Sequence, residues 1–315
     1  MKYRWRCGLA TFSLWMMSLS TIEGTIIGDG NYFSVDVKNG YRVDNLVWSI
    51  QGTDGIPNII SELQFKDIEI YQLGLEARVI LSNNIYVRSN IDYGWILDGK
   101  DQDSDYLGSN RTLEYSRSYA KIEDDFVFDF TLGIGYLFDI CDTGLTIAPM
   151  LGYTHNEQHF RMTNGFQVVD TFFPERIGPI LGLNSTYRTE WDSVWLGLDA
   201  GYLLHCDLFV YGNYEFHWAN YHALGNWNLR DDFIGDFHHH ANGGTGNVGV
   251  LGTKYAFCDG WTVGIEGEYQ RWKTIHGFDR TNIQVSGDVV FPAGTRLNPV
   301  TWRTWSISGN IGYLF

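Results

Sequence analysis

Past Ser20 the sequence has no run of about 18 apolar residues, which excludes helical membrane spans. Basic residues are few. The 22 Lys and Arg stand against 37 Asp and Glu, and the formal net charge of −15 argues against a nucleic-acid partner. Cysteine is scarce as well, with 4 in the chain. Cys7 falls among the first residues. Cys141, Cys206 and Cys258 remain, an odd set, so any disulfide pairing leaves one thiol over. Familiar catalytic patterns are missing too: there is no Ser/His/Asp elbow, no Gly-rich phosphate loop and no Cys-x-x-Cys pair. Nothing reproduces the ligand spacing of a calcium loop.

What the chain does have is aromatic residues, at 16%, and 36 glycines. At its start, Lys2, Arg4 and Arg6 precede a run of apolar and small residues from Gly8 to Ser20. Ser18 and Ser20 give a small-x-small cleavage pattern, so residues 1–20 are expected to be a secretory signal and the mature chain to start near Thr21. Read instead as an anchor helix, the run is short of the ~20 residues a bilayer span requires. At its other end, Trp305, Ile307, Ile311, Tyr313 and Phe315 alternate with Thr304, Ser306, Ser308, Asn310 and Gly312. Period-2 alternation is the pattern of a strand with one apolar and one polar face.

The same rhythm recurs at 85–97, 126–138, 208–218 and 261–270. In each, apolar residues share one face with charges opposite: Arg88 and Asp92, Asp129, Glu215, then Glu266 and Glu268. With Glu76 and Arg78 from a preceding segment, these are expected to face an enclosed lumen, because so many charges are costly in a dry soluble core. The alternation implies an all-β antiparallel transmembrane barrel over 21–315, with ten strands expected and twelve as the alternative. Connections alternate between short ones, such as Ser82-Asn83-Asn84 and those led by Cys141-Asp142 and Cys258-Asp259, and long ones at 98–124, 163–178, 219–246 and 274–300. Short periplasmic turns and long external loops are the asymmetry such barrels show. Between 177 and 222 two turns compete, 189–193 and 205–207, and this leaves the strand count open.

The terminal Tyr313 and Phe315 resemble the C-terminal signature read by the outer-membrane barrel assembly machinery. Ser34-Val35-Asp36-Val37, Ser61-Glu62-Leu63-Gln64-Phe65-Lys66 and Asp101-Gln102-Asp103 resemble the omptins, outer-membrane barrels that act as endopeptidases and in some members as adhesins. Residues 178–183 resemble porin-type proteins of chlamydiae and legionellae, and cysteines at strand ends fit the disulfide-linked envelopes of chlamydiae. Taken together, the chain resembles a chlamydia-type (Protochlamydia-like) outer-membrane protein with an omptin-like barrel.

The omptin resemblance implies an Asp pair facing an Asp-x-His pair across the barrel mouth, with His as base on a water held between them. The first pair carries over onto Asp101 and Asp103, placed on a loop after the 85–97 strand. For the second, the sequence offers Asn220-Tyr221-His222, with an amide for the acid, or Asp236-Phe237-His238 further along. The plainer reading of Asp101 and Asp103 is a solvated acidic loop. His238, His239 and His240 invite a metal reading, but successive residues on a strand point to opposite sides, so no metal and no cofactor is expected. The leading expectation is a non-enzymatic outer-membrane barrel, a porin-like channel or a surface structural and adhesion protein. An omptin-like endopeptidase is the alternative. Expected partners are outer-membrane lipid and lipopolysaccharide, the assembly machinery and, through Cys141, Cys206 and Cys258, disulfide-linked envelope proteins.

Overall fold

The computed structural model describes residues 31–140, 143–205, 207–258, 260–286 and 289–315. The expected signal segment 1–20, Cys141, Cys206 and the side chain of Cys258 lie outside the described residues. Among the described residues no helix is long and apolar enough to cross a membrane.

One antiparallel sheet takes nearly the whole chain. Its strands are β1 (Tyr32–Ile50), β2 (Ser61–Ile80), β3 (Ile85–Gly108), β4 (Thr112–Ile122), β5 (Phe126–Tyr136), β6 (Phe138–Ile140), β7 (Leu145–Asp170) and β8 (Gly178–His205). β9 (Leu208–Asn226), β10 (Phe237–Ala241), β11 (Gly244–Cys258), β12 (Trp261–Thr274), β13 (Gly277–Ser286), β14 (Val289–Leu297) and β15 (Thr301–Leu314) complete it. From β1 a lower circuit runs through β2, β3, β5, β7, β8, β9, β11, β12 and β15 and returns to β1. In an upper circuit β4, β10, β13 and β14 take the places of β5, β11, β12 and β15. Closure pairs every stave on both sides, which lipid demands of a β protein.

The lower end carries the short turns and joins the two ends of the described chain: the Phe315 amide donates to the Phe33 carbonyl at 2.9 Å, and the two rings stack. The upper end differs from the sequence reading. The segments expected as long loops are mostly sheet: β3 and β4 fill 98–124, and β13 and β14 fill most of 274–300. Residues 189–193, expected as a candidate turn, lie inside β8 and pair with β7 and β9. Turn-forming side chains misled there, because Thr189 and Ser193 face inward and are hydrogen-bonded within the barrel.

The outer wall explains this division. Tyr41, Tyr71, Trp95, Phe126, Tyr153, Trp218, Tyr269 and Trp305 ring the wall at mid-height, several of them in ring contact with a neighbour. A second ring, including Tyr136, Tyr202, Tyr255, Trp261 and Tyr313, lies near the short-turn end. Between the rings the exposed residues are mostly aliphatic, among them Val37, Leu75, Ile91, Ile134, Leu198, Leu251 and Ile307. An apolar band between two aromatic girdles is the lipid-facing wall of an outer-membrane barrel. Above the upper girdle the wall turns polar, with Glu69, Asp98, Asn220, Arg271 and Arg303 outside.

Candidate functional site

The interior has two layers. Below the upper girdle it is charged. Arg42 is bracketed by Asp44, at 2.7 and 2.8 Å, and by Asp129. Asp44 also accepts from Gln158 at 2.7 Å and from the Trp302 indole at 3.1 Å. Arg88 bridges Glu215 at 2.5 Å and Asp199 at 3.1 Å. Lys38 lies between Asp92 and Glu266, Lys254 reaches Asp36 at 2.7 Å, and Arg78 pairs with Glu76 at 2.5 Å. Sealed charges are tolerable only when paired and hydrogen-bonded, and each of these cations has at least one carboxylate partner. The cations Lys38, Arg42, Arg78, Arg88 and Lys254 are outnumbered by Asp36, Asp44, Glu76, Asp92, Asp129, Asp199, Glu215, Glu266 and Glu268, so this layer is net acidic. Glu76, Arg78, Arg88, Asp92, Asp129, Glu215, Glu266 and Glu268 all line one internal cavity of about 50 Å³.

Above the girdle aromatic and aliphatic side chains fill most of the interior. Trp191, Trp272, Trp302, Tyr187, Tyr221, Phe65 and Phe160 are all fully buried there, with Leu46, Leu63 and Ile68. Trp272 and Trp302 stack at 5.6 Å, Trp191 lies about 6 Å from both, and Phe65 stacks on Phe160 and Tyr187. The strands that supply this cluster stand all round the circuit, so the rings cross the bore from wall to wall. Gly246 makes room for one of them: a Cβ there would fall 2.4 Å from the Trp272 ring. The layers meet where Arg42 lies over Trp302 and His217 packs on Trp272, its ring held between Glu215 at 3.0 Å and Ser193 at 2.9 Å. Glu215 is among the residues the alternation places in the lumen; its neighbour on the same inward face, His217, carries no role in that expectation although the period-2 spacing points it the same way.

Asp101 and Asp103 lie on β3, not on a loop, and Asp101 is buried against Phe65 rather than solvated. Burial and the neighbouring Asp103 push the Asp101 carboxyl well above its ordinary range, and these groups stand above the girdle, outside the membrane. A bulge places them there. β2 and β3 slip register between Lys66 and Ile70, and Leu97 and Asp98 both face outward. The inward phase therefore changes from the even residues of 86–96 to Gly99 and Asp101.

The histidines expected opposite do not meet this pair. His222 and His238 project from the outer face of β9 and β10, and Asp236 accepts from Asn226 at 2.9 Å on the exposed upper rim. The inward member of the His run is His239. Its Nδ1 meets the Tyr187 hydroxyl at 2.8 Å, and Tyr187 in turn meets Tyr221 at 2.7 Å. Phe65, beside Asp101, stacks on Tyr187, so rings fill the space between the carboxylates and His239. Among the described residues no three His, Cys, Asp or Glu side chains gather around a common metal position.

The sequence matches no curated relative. Among solved structures, the outer membrane protease OmpT from Escherichia coli superposes with a TM-score of 0.74 at 12% identity, over 90% of this chain and 97% of OmpT. That likeness shows the fold alone. The translocator domain of the autotransporter NalP from Neisseria meningitidis, at 11% identity over 96% of this chain and 94% of its own, reaches a TM-score of only 0.37. The outer membrane protein OprG from Pseudomonas aeruginosa, at 11% identity over 92% and 99%, reaches 0.33. The family model described as Pom, Protochlamydia outer membrane protein, matches residues 36–315, from the first lumen carboxylate to the last residue of the barrel. A closed sheet with a girdled lipid-facing wall, matched over nearly its whole length by that model, makes this chain an outer-membrane β-barrel of the Protochlamydia outer membrane protein family.

Proposed function

We propose that this protein is a non-enzymatic, ion-tight barrel of ten staves with a structural and surface-attachment role in the outer membrane. One observation carries the reading: the aromatic layer around Trp191, Trp272 and Trp302 fills the bore above the charged layer. A solute passing through would have to displace close-packed rings, and such interiors resist displacement because they are packed like crystals. The upper half then acts as a rigid stem that holds its hairpin tips beyond the lipid.

Single-channel recording in planar bilayers tests this. The purified barrel is expected to give no conductance steps, and regular steps from the unmodified protein would reject the reading in favour of a porin-like channel. The omptin-like endopeptidase is disfavoured because His222 and His238 point away from Asp101 and Asp103. A basic fluorogenic peptide is expected to stay intact with lipopolysaccharide present, and cleavage lost in Asp103→Ala would reverse that judgement.

Arg271, Lys273 and Arg303 stand on the outer wall just above Tyr269 and Trp305, at the height of lipid phosphates, and support contact with lipopolysaccharide. Disulfide exchange with other envelope proteins through Cys141, Cys206 and Cys258 belongs to the same reading, and diagonal non-reducing electrophoresis of intact cells checks it.

A further inference from the structure

Most described histidines that touch another ionisable group lean on a carboxylate. His155 Nδ1 lies 2.9 Å from Asp192, His159 Nε2 2.5 Å from Glu157, His217 Nε2 3.0 Å from Glu215 and His239 Nε2 3.3 Å from Asp279. His222 and His240 are different. They are direct partners on β9 and β10, both on the outer face above the girdle, and the Nδ1 of one lies 3.1 Å from the Nδ1 of the other. Their ring centroids are 4.2 Å apart.

Two imidazole nitrogens at that distance have room for one proton between them. A second proton would make two cations side by side. A metal ion resolves the same geometry differently, because it accepts both lone pairs. Nitrogens bound to one ion at about 2.0–2.1 Å stand roughly 2.9–3.4 Å apart for angles of about 90–110°. The observed spacing falls inside that window with no movement of the backbone.

The surroundings supply a further donor. Glu190 is the partner of His222 on the other flank, from β8, and faces the same way. Its Oε1 takes Arg188 at 2.7 Å, which leaves Oε2 to turn toward an ion. A groove of about 530 Å³ lined by Glu190, His222, His238, His240 and Phe278 leaves space for water ligands. Imidazole suits zinc, copper and nickel, whereas calcium and magnesium require oxygen shells that this groove does not build.

We propose that His222 and His240 form a two-imidazole chelate for a divalent transition ion, with water completing the shell and Glu190 joining it only once its side chain turns from Arg188 toward the ion. Bound there, the ion clips β8, β9 and β10 together. It pins both ends of the 227–236 tip that joins β9 to β10.

Calorimetric titration of the untagged full chain, refolded in detergent, with zinc or nickel salt at neutral pH tests it. One ion per barrel is expected. His222→Gln and His240→Gln are each expected to weaken binding tenfold or more, Glu190→Gln less, and His155→Gln not at all. These are outer-wall changes, and the retained heat-modifiable gel mobility of each variant verifies its barrel. At mildly acidic pH, where imidazoles are protonated, binding is expected to vanish. No binding by the unmodified protein at millimolar ion overturns the proposal. So does undiminished binding in His222→Gln and His240→Gln, which places the ion elsewhere.

Discussion

Below the upper girdle this barrel is apolar outside and charged inside; above it the outside is more polar and the inside largely aromatic and aliphatic. β9 shows the change in one element. Glu215 and His217 face inward below, with Tyr214 and Trp218 in the lipid-facing wall. Above, Tyr221 and Ala223 face inward and Asn220 and His222 face out. β1 does the same, with Lys38 and Arg42 inside below and Leu46 and Trp48 inside above. The physical reason is the solvent. Lipid outside rewards an apolar wall and leaves the interior to satisfy itself by ion pairing. Once the strands emerge into water, the ordinary hydrophobic effect takes over and builds a dry core. The molecule is a membrane barrel fused end to end with a water-soluble one, sharing staves.

The contrast can be broken most forcefully in the upper layer. Trp191→Ala removes a fully buried ring and is expected to cost about 3–5 kcal/mol, read by urea unfolding in detergent micelles. If Trp191, Trp272 and Trp302 are all cut to Ala and the barrel still folds, the bore should open to cation-selective conductance. The acidic layer beneath sets that preference, and anion selectivity would contradict the carboxylate excess. In the lower layer charge matters more than volume. Arg42→Gln strands Asp44 and Asp129, with a loss of about 3 kcal/mol by the same assay, and adding Asp129→Asn should return part of it.

Asp101 sharpens the boundary itself. Its carboxyl titrates above the ordinary range because of burial and then Asp103, so the folded barrel binds a proton the unfolded chain releases. Stability from this group is therefore gained as pH falls and lost as pH rises above the unfolded value. Asp101→Asn should unfold like the unmodified barrel in acid and prove the more stable of the two toward alkaline pH. The reverse order would mean a compensating cation sits beside it. The smallest effect belongs to the outer wall above the girdle, where Asn220→Ala should move stability by no more than about 0.5 kcal/mol.

The lower half was legible because its two faces differ in polarity over many consecutive residues. Glu266 and Glu268 opposite Ile265 and Tyr269 admit one arrangement in lipid. The upper half is far less legible. Serine, threonine and aspartate at 98–124 and 189–193 look like loop sequence, since polar residues that face water on a strand and polar residues of a turn share one composition. The aromatic layer was hidden for a related reason. Trp191, Trp272 and Trp302 lie on three staves far apart in the chain, and no local window holds them together.

By itself, then, the sequence determined that alternating strands must close into a barrel, and which face of each lower strand meets lipid, because a period of two locks every side chain to one side or the other. Only the tertiary structure decided where that period is interrupted and what the interior contains. The bulge between Lys66 and Ile70, with Leu97 and Asp98 both outward, turns Asp101 inward against a simple count from the 85–97 strand. Pairing between the neighbouring strands β9 and β10 sets His222 nitrogen to nitrogen with His240. Both depend on register between strands, and register is a relation between two segments that neither one encodes alone.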